Sequence, residues 1–325
     1  MINETIESGV PRVAVIVLVW NSVDDTLECL KSLYESSYPN QEILLVDNGS
    51  SEGVVASIRR AYPGVRVLEL GTNLGFSAGN NAGIQYALRR GFDYVLLLNQ
   101  DTVVAPDMLG KLVAFAEAHP RAGLIGPAVD CAGTERMVYA LGGMIQWSKG
   151  LTRNRGMFEH PERFPFHAES ERVDFVPGCG MLVSRRFLET AGSLDPQYFF
   201  NYEEVEWAVR GRRYGFEVWF LPSAKMWHKV SASLGVSSPA NTYYMTRNAL
   251  RFFWTNGMGF RRWSATLHIL LRTARSVAAW SLRPRYREEQ YRRRTLANLF
   301  AMRDFAFGRF GKMDPKVAKV CGIVH

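Results

Sequence analysis

"LLLNQDTVV", residues 96–104, is an apolar run that stops at Asn99, Gln100 and Asp101 and then turns apolar again. Consecutive leucines read as a strand buried on both faces, as the strands of a parallel sheet are. Residues 13–19, 43–46 and 65–70 form similar runs upstream, and 124–125 form another downstream. Between the first two, Leu27, Leu30, Leu33 and Tyr34 recur at helical spacing. Ala82, Tyr86 and residues 89–90 close a second helical segment, and Met108, Leu112 and Phe115 mark a third. Strands alternating with helices of this length predict right-handed βαβ units and an α/β fold with a mostly parallel sheet.

The chain has 325 residues, 47% of them hydrophobic, enough for a large core and too many for a disordered protein. Cys29, Cys131, Cys179 and Cys321 are far apart with no CxxC pair, which argues against a zinc cluster or disulfide framework. The first ten residues carry two glutamates, unlike a secretory leader. Residues 13–20 are too few to span a bilayer, and Arg272 and Arg275 break the later apolar stretch. The expectation is a cytoplasmic protein, peripheral at most on the inner face of the membrane. The net charge is +8, and between Arg247 and Arg309 fourteen arginines and no lysine face only Glu288, Glu289 and Asp304. Such a tail favours a polyanion: anionic lipid, a lipid-linked diphosphate or nucleic acid. It carries no RNP pattern, KH loop or zinc finger, so nucleic acid is not an expected partner.

From 130 to 172 the periodicity dissolves into Gly, Arg, His and Pro. It returns with "FVPGCGMLVS", a helix over 203–214 and a strand over 218–221. Beyond Pro239 the reading is helical: 241–254, 261–282 and 288–307, with Pro284 as a break. The expected organisation is a catalytic domain over 1–238 and a helical, arginine-rich region over 239–325.

Ligands of a parallel α/β sheet bind beyond the carboxyl ends of its strands. Those ends read Trp20-Asn21, Asp47-Asn48-Gly49-Ser50, Asn73 and Asn99-Gln100-Asp101, so four consecutive strands deliver amides or carboxylates to one edge. Each alone is an ordinary turn; the coincidence of four is the signal. "GTNLGFSAGNNAG", residues 71–83, is neither GxGxxG nor a P-loop, yet glycines before a helix allow a phosphate to approach the backbone. In "YFFNYEEVEWAVR", residues 198–210, Glu203, Glu204 and Glu206 fill the first turn of a helix behind a group of aromatics. They complement the helix dipole, or they supply a general base whose pKa is raised by like charge and aromatic burial. His228, in "KMWHKVSAS", reads as part of a polar loop; with an aspartate oxygen it would suit Mn²⁺.

Taken in order, "VIVLVWNS", "ILLVDNGSSEG", "NLGFSAGNNAG", "LLLNQDTVV", "FVPGCGMLVSRRFLETAGSLDPQYFFNYEEVEW", "WHKVSAS" and "YYMTRNALRFF" resemble the inverting GT-A glycosyltransferases of family two. The resemblance is to the rhamnosyltransferase-like branch that builds bacterial surface polysaccharides such as O-antigen, and it runs over residues 15–253. It implies a GT-A fold, Rossmann-like with helices on both faces of the sheet. It also implies transfer of a sugar from a nucleoside-diphosphate sugar, dTDP-rhamnose or a UDP-sugar, to a glycan or lipid-linked saccharide. Val19, Trp20, Asn21, Asp47 and Asn48 would then face the nucleotide. Asn73, Gly75, Gly79 and Asn80 would approach ribose and diphosphate, with Asn99, Gln100, Asp101 and Gly180 around the donor. Asp101 matches the last acid of the family's DxD-type motif and His228 its histidine near the cation, Mn²⁺ or Mg²⁺. Glu204 falls at the family's proposed base, where an aspartate is usual, and Glu203 precedes it; Glu204 is favoured of the two. Asn99 stands in place of the first DxD acid. The competing reading is therefore a nucleotide-sugar-binding protein with weakened catalysis. A membrane surface reached through the C-terminal arginines and a second copy in a homodimer are the remaining partners to consider.

Overall fold

The computed structural model describes residues 9–133, 137–160, 162, 169–229 and 238–323. Strand and helix alternate strictly at first: β1 (Val13–Val19), α1 (Val23–Tyr34), β2 (Gln41–Asp47), α2 (Val54–Ala61), β3 (Arg66–Glu69), α3 (Gly75–Arg89) and β4 (Tyr94–Asn99). Then come β5 (Thr102–Val104), α4 (Met108–Ala118), β6 (Ala122–Cys131), β7 (Val138–Ala140), β8 (Gly143–Gln146), β9 (Leu151–Asn154), β10 (Glu171–Arg172) and β11 (Gly180–Ser184). The chain continues through α5 (Arg185–Ala191), α6 (Glu203–Arg213) and β12 (Glu217–His228), and closes with α7 (Pro239–Asn256), α8 (Phe260–Leu282), α9 (Glu289–Ala306) and α10 (Pro315–Val320).

Two compact units divide these elements. The first, Met1–Met144, Asn154–Leu194 and Trp207–Val230, contains a ten-stranded sheet in the order β10-β12-β6-β11-β4-β1-β2-β3, with β5 on β12 and β7 on β6. The half formed by β4, β1, β2 and β3 is parallel throughout. Val13, Val15, Ile16 and Val17 of β1 are fully buried. Water exclusion at each such side chain contributes about 1.5–3 kcal/mol, which is why the four-strand apolar pattern is so plain in the sequence. The other half is mixed: β11 runs antiparallel between β4 and β6, while β12 is parallel to β6. The expected α/β class with a C-terminal helical region is the observed one, and the sheet expected to be mostly parallel is parallel in one half and mixed in the other.

One expectation is corrected. The strand read as 218–221 runs on to His228, so His228 ends a strand and does not sit in a loop. Pro222 and Ser223 look like a turn, but they lie within a shift of register against β6, between Leu221 and Lys225. Beyond the shift Lys225 and Trp227 are exposed while Met226 and His228 are buried, the alternation of a half-buried strand. The irregular stretch 130–172 breaks into the end of β6 and the short strands β7 to β10; its residues 134–136, 161 and 163–168 lie outside the described residues, as do 230–233 of "WHKVSAS".

The second unit comprises Ile145–Arg153, Asp195–Glu206 and Ser231–His325. Its core joins Tyr243 and Tyr244 of α7 to Ala297 and Ala301 of α9 and to Val317 and Ala318 of α10. Ser238 caps α7 by accepting from the Asn241 N–H at 3.1 Å, with Pro239 in the first turn, where its missing N–H does no harm.

Candidate active site

In the first unit the carboxyl ends of the parallel strands are tied to one another by the polar residues picked out in the sequence. Gln100 Oε1 accepts from the Trp20 N–H at 2.8 Å, and its Nε2 donates to the Trp20 carbonyl at 2.9 Å. The Asn48 N–H donates to the Val19 carbonyl at 2.8 Å. Asn21, with φ 61°, accepts on Oδ1 from the Ser51 N–H at 2.7 Å and hydroxyl at 2.9 Å. Asp47 accepts from the Ser50 N–H at 3.2 Å. Asn48 Oδ1 accepts from the Leu74 N–H at 2.9 Å, and its Nδ2 donates to Asn73 Oδ1 at 3.2 Å. Val19, Trp20, Asn21, Asp47, Asn48, Asn73 and Gln100 thus share one polar edge. The Gln100 amide aligns β1 with β4 there.

The glycines have separate reasons. Gly49 has φ 73°, and a Cβ on it would stand 2.5 Å from the Thr72 backbone, so the loops after β2 and β3 meet only at a glycine. Gly75 opens α3, whereas Gly79 lies inside the helix, where a Cβ would come within 2.6 Å of the Leu18 side chain. Gly79 therefore lets α3 close on β1. Gly180, which opens β11, is similarly crowded by Met226. In the first turns of α3, Asn80 Nδ2 donates to the Phe76 carbonyl at 3.0 Å. Asn80 Oδ1 and the Ser77 hydroxyl are buried without a partner among the described residues.

Asn99 ends β4, and Asp101 follows in the turn into β5. Asp101 Oδ1 stands 3.2 Å from His228 Nε2, and both side chains are about nine-tenths buried. The Lys229 N–H donates to the Asp101 carbonyl at 2.9 Å, and the Lys229 ammonium is held by Asp25 and Glu28 of α1. Tyr139 meets the His228 ring edge-on at 4.7 Å. Two neighbouring ligands of an octahedral ion, each about 2.1 Å from it, stand about 3 Å apart. The oxygen–nitrogen spacing fits a shared divalent cation of the Mn²⁺ or Mg²⁺ kind. No group of three or more His, Cys, Asp or Glu side chains able to hold a metal occurs among the described residues. The pair therefore suits an ion completed by a diphosphate and water, not an all-protein cage.

The glutamates belong to the second unit. Glu203 is 4% exposed and its Oε2 has no partner among the described residues; Glu204 is half-buried. Burial, then the charge of Glu204, pushes the Glu203 pKa well above the ordinary glutamate range. Burial pushes Glu204 up to about 7 against the downward pull of the Glu204 and Val205 backbone N–H groups. The two titrate as a pair.

The loop leading into this pair is strained. Phe199, Asn201 and Tyr202 all have left-handed φ angles, 62°, 68° and 75°, a conformation that costs non-glycine residues about 1 kcal/mol or more each. Asn248 of α7 holds it: its Nδ2 stands 2.8–2.9 Å from the carbonyl oxygens of Tyr198, Phe200 and Asn201. Arg247 orients that amide by donating to Asn248 Oδ1 at 3.0 Å. The buried guanidinium also donates to the Tyr243 hydroxyl at 3.2 Å, which donates to Asp304 at 2.7 Å. Arg247 and Asn248 stand in "YYMTRNALRFF", where sequence reasoning assigned them no role. A polar Arg-Asn pair on the apolar face of a helix was the available signal.

At the opposite, amino-terminal edge of the strands lies an open concavity of about 790 Å³ that includes Arg12, Asp93, Tyr94, Glu117 and Arg185. Its polar groups satisfy one another: the Arg12 N–H donates to Asp93, the Tyr94 hydroxyl to Glu117 and Arg185 to Glu189.

A parallel α/β half extended by mixed strands, with polar strand ends and a carboxylate after β4, defines the GT-A class of glycosyltransferase fold. Solved structures agree on the fold. A mannosyltransferase from Pyrobaculum calidifontis in complex with GDP-Man and Mn²⁺ aligns with a TM-score of 0.55 at 17% identity, over 92% of this chain and 88% of that one. S. aureus TarS in complex with UDP-GlcNAc aligns with a TM-score of 0.57 at 15% identity, over 96% and 84%. The chain belongs to glycosyl transferase family 2, whose model matches residues 14–191, and it is a glycosyltransferase. Among curated relatives, the dTDP-rhamnosyl transferase RfbF of Shigella flexneri is 24% identical over 245 residues, 72% of this chain and 77% of that protein. An N-acetylglucosaminyl-diphospho-decaprenol L-rhamnosyltransferase of Mycobacterium tuberculosis is 30% identical over 208 residues, 59% of this chain and 68% of that protein.

Proposed function

We propose that this chain is an inverting transferase that moves L-rhamnose, or another sugar, from a dTDP- or UDP-sugar to a lipid-linked saccharide in surface polysaccharide synthesis. The rhamnosyl transfer named for both relatives supports the donor, and the diphospho-decaprenol of the mycobacterial relative supports the acceptor class. The single observation that carries the chemistry is the pair Glu203 and Glu204. One carboxyl is sealed from solvent and the other is half-buried with a pKa of about 7, near the value a general base needs at neutral pH.

Glu204 takes the proton of the acceptor hydroxyl as its oxygen bonds to the anomeric carbon. The bond from that carbon to the diphosphate breaks with its electron pair, and attack from the opposite side inverts the configuration. Glu203 remains protonated and keeps a second negative charge away from Glu204. Asp47, Asn48 and Asn73 line the nucleotide side, and Asp101 with His228 would hold the cation. When bound, that ion offsets the negative charge gathering on the departing nucleoside diphosphate. Residues 239–325 serve the acceptor, a lipid surface or a second copy.

Turnover of dTDP-rhamnose and a panel of UDP-sugars, with and without Mn²⁺ or Mg²⁺, tests the reading. Transfer that needs the ion and collapses in both Asp101→Ala and Glu204→Gln supports it; full activity in both variants sinks it. Asn99 in the place of an acid favours a second reading, a nucleotide-sugar binder with weakened catalysis. A donor that raises the melting temperature yet is never turned over, even by water, would favour that one.

A further inference from the structure

α8 has two contrasting sides. Ala265, Thr266, Ile269 and Thr273 are buried. Phe260, Trp263, Leu267, Leu271 and Leu282 are between 46% and 81% exposed, and Ala274 and Ala278 are exposed between them. At 100° per residue these seven positions fall within an arc of about 100°, so they form one stripe, with Ser264 and Ser281 at its margins, along a helix of about 33 Å. Trp263 is braced in place by an edge-on contact with Trp254 at 4.8 Å. An apolar stripe this long is too large to be scattered surface hydrophobicity.

Within α8 the charge beside it has one sign. α8 contains Arg261, Arg262, Arg272 and Arg275 and no acidic residue. Arg272 is turned inward, donating to the Lys149 and Gly150 carbonyls at 2.7 Å, and Arg262 donates to the Gly257 carbonyl. Arg261 and Arg275 are exposed beside the stripe, and Arg283, Arg285 and Arg287 are exposed beyond its end. Among the described residues no helix is long and apolar enough to cross a membrane. An apolar arc bordered by arginines along one margin and beyond its end, with a tryptophan in it, matches a helix lying in the plane of a membrane interface, its guanidiniums among anionic headgroups.

We propose that this face of α8 docks on an anionic lipid bilayer, with Phe260, Trp263, Leu267, Leu271 and Leu282 entering the interface and Arg261, Arg275, Arg283, Arg285 and Arg287 meeting lipid phosphates. The inference deepens the lipid-linked acceptor reading, but its physical basis needs neither donor nor acceptor.

The test is co-sedimentation of the full chain with vesicles of phosphatidylcholine plus phosphatidylglycerol, against pure phosphatidylcholine, at low and high salt. Binding to the anionic vesicles at low salt is expected to be at least about tenfold tighter than to the neutral ones. Leu267→Glu with Leu271→Glu should abolish pelleting while the melting temperature and the donor-induced shift persist. Arg261→Ala with Arg275→Ala, which leaves the stripe intact, should remove much of the salt-sensitive part. The proposal is overturned if the wild-type chain ignores anionic vesicles, or if the leucine variant pellets as the wild type does. It is equally overturned if light scattering shows a dimer that the leucine substitutions dissociate while vesicle binding is unchanged. Because no sugar transfer is read, membrane docking and glycosyl transfer can fail separately.

Discussion

The chain carries two pairs of ionisable groups that differ in how they are satisfied. Asp101, in the turn from β4 to β5, and His228, at the end of β12, are opposite in kind and face each other at 3.2 Å. Glu203 and Glu204 are alike, one of them has a buried oxygen without a partner, and they follow three left-handed residues. The first pair is compatible with folding on its own. The second opposes folding and persists because Asn248 and Arg247 hold the preceding loop. A site that binds charge can be built from complementary groups, whereas one that accepts a proton must keep a carboxyl where its charge is unfavourable.

Removing a member of either pair gives the largest effects. Asp101→Ala should lower turnover at saturating ion by about 10³-fold or more. It should also abolish the rise in melting temperature that Mn²⁺ adds in the presence of nucleoside diphosphate. Unchanged turnover would break the assignment of the first pair to charge binding. Glu204→Gln should lower kcat by about 10²–10⁴-fold while donor binding is retained. In the wild type, kcat/KM should rise with pH through about 7 as Glu204 ionises; a profile flat between about pH 5 and pH 8 would remove Glu204 as the base.

The two pairs also differ in how far they were legible in the sequence. Asp101, Asn48 and Gln100 follow apolar runs, and an apolar run ending in a polar turn is a local signal. The strand carrying His228 is hidden in the sequence because Pro222 reads as a stop, although Lys225 to His228 alternate as a strand should. Gly79 sits in a glycine-rich loop when read as sequence, but its reason is the Leu18 side chain on a neighbouring element. The clamp is less legible still: Asn248 contacts carbonyls 47 to 50 residues earlier. Non-local hydrogen bonds to main chain leave no periodicity behind.

Asn248→Ala therefore separates the pairs at smaller cost. It strips the Phe200 and Asn201 carbonyls of this donor, while the Tyr198 carbonyl keeps the Phe200 N–H at 2.7 Å and Arg247 Nη2 at 3.4 Å; buried acceptors left without a donor cost about 1–3 kcal/mol. Chemical denaturation should show that loss. Among molecules still folded, kcat should fall by about 10–100-fold with the pH limb displaced, and Mn²⁺-dependent nucleotide binding should be unchanged. A stability loss with kcat and the pH limb both intact would make Asn248 a packing residue with no part in positioning the glutamates.

Glu203→Gln gives the smallest effect and the most discriminating one. The folded Glu203 carboxyl is a weaker acid than in the unfolded chain, chiefly through burial. The folded state therefore holds a proton that the unfolded chain releases above about pH 4.3. Between that pH and its folded pKa, stability falls as pH rises, by about 1.4 kcal/mol per pH unit. Gln cannot ionise in either state, so an imperfectly paired amide leaves the variant less stable than the wild type near pH 4, and its stability relative to the wild type should rise as the pH is raised to neutrality. Denaturation at about pH 5 and about pH 8 reads the difference. Activity is the second readout: if Glu203 works as a neutral neighbour, its neutral replacement keeps kcat within about tenfold, far above Glu204→Gln. Should Glu203→Gln instead lose as much as Glu204→Gln, with no such rise in relative stability, the buried carboxyl is ionised in the working enzyme and the two glutamates exchange roles.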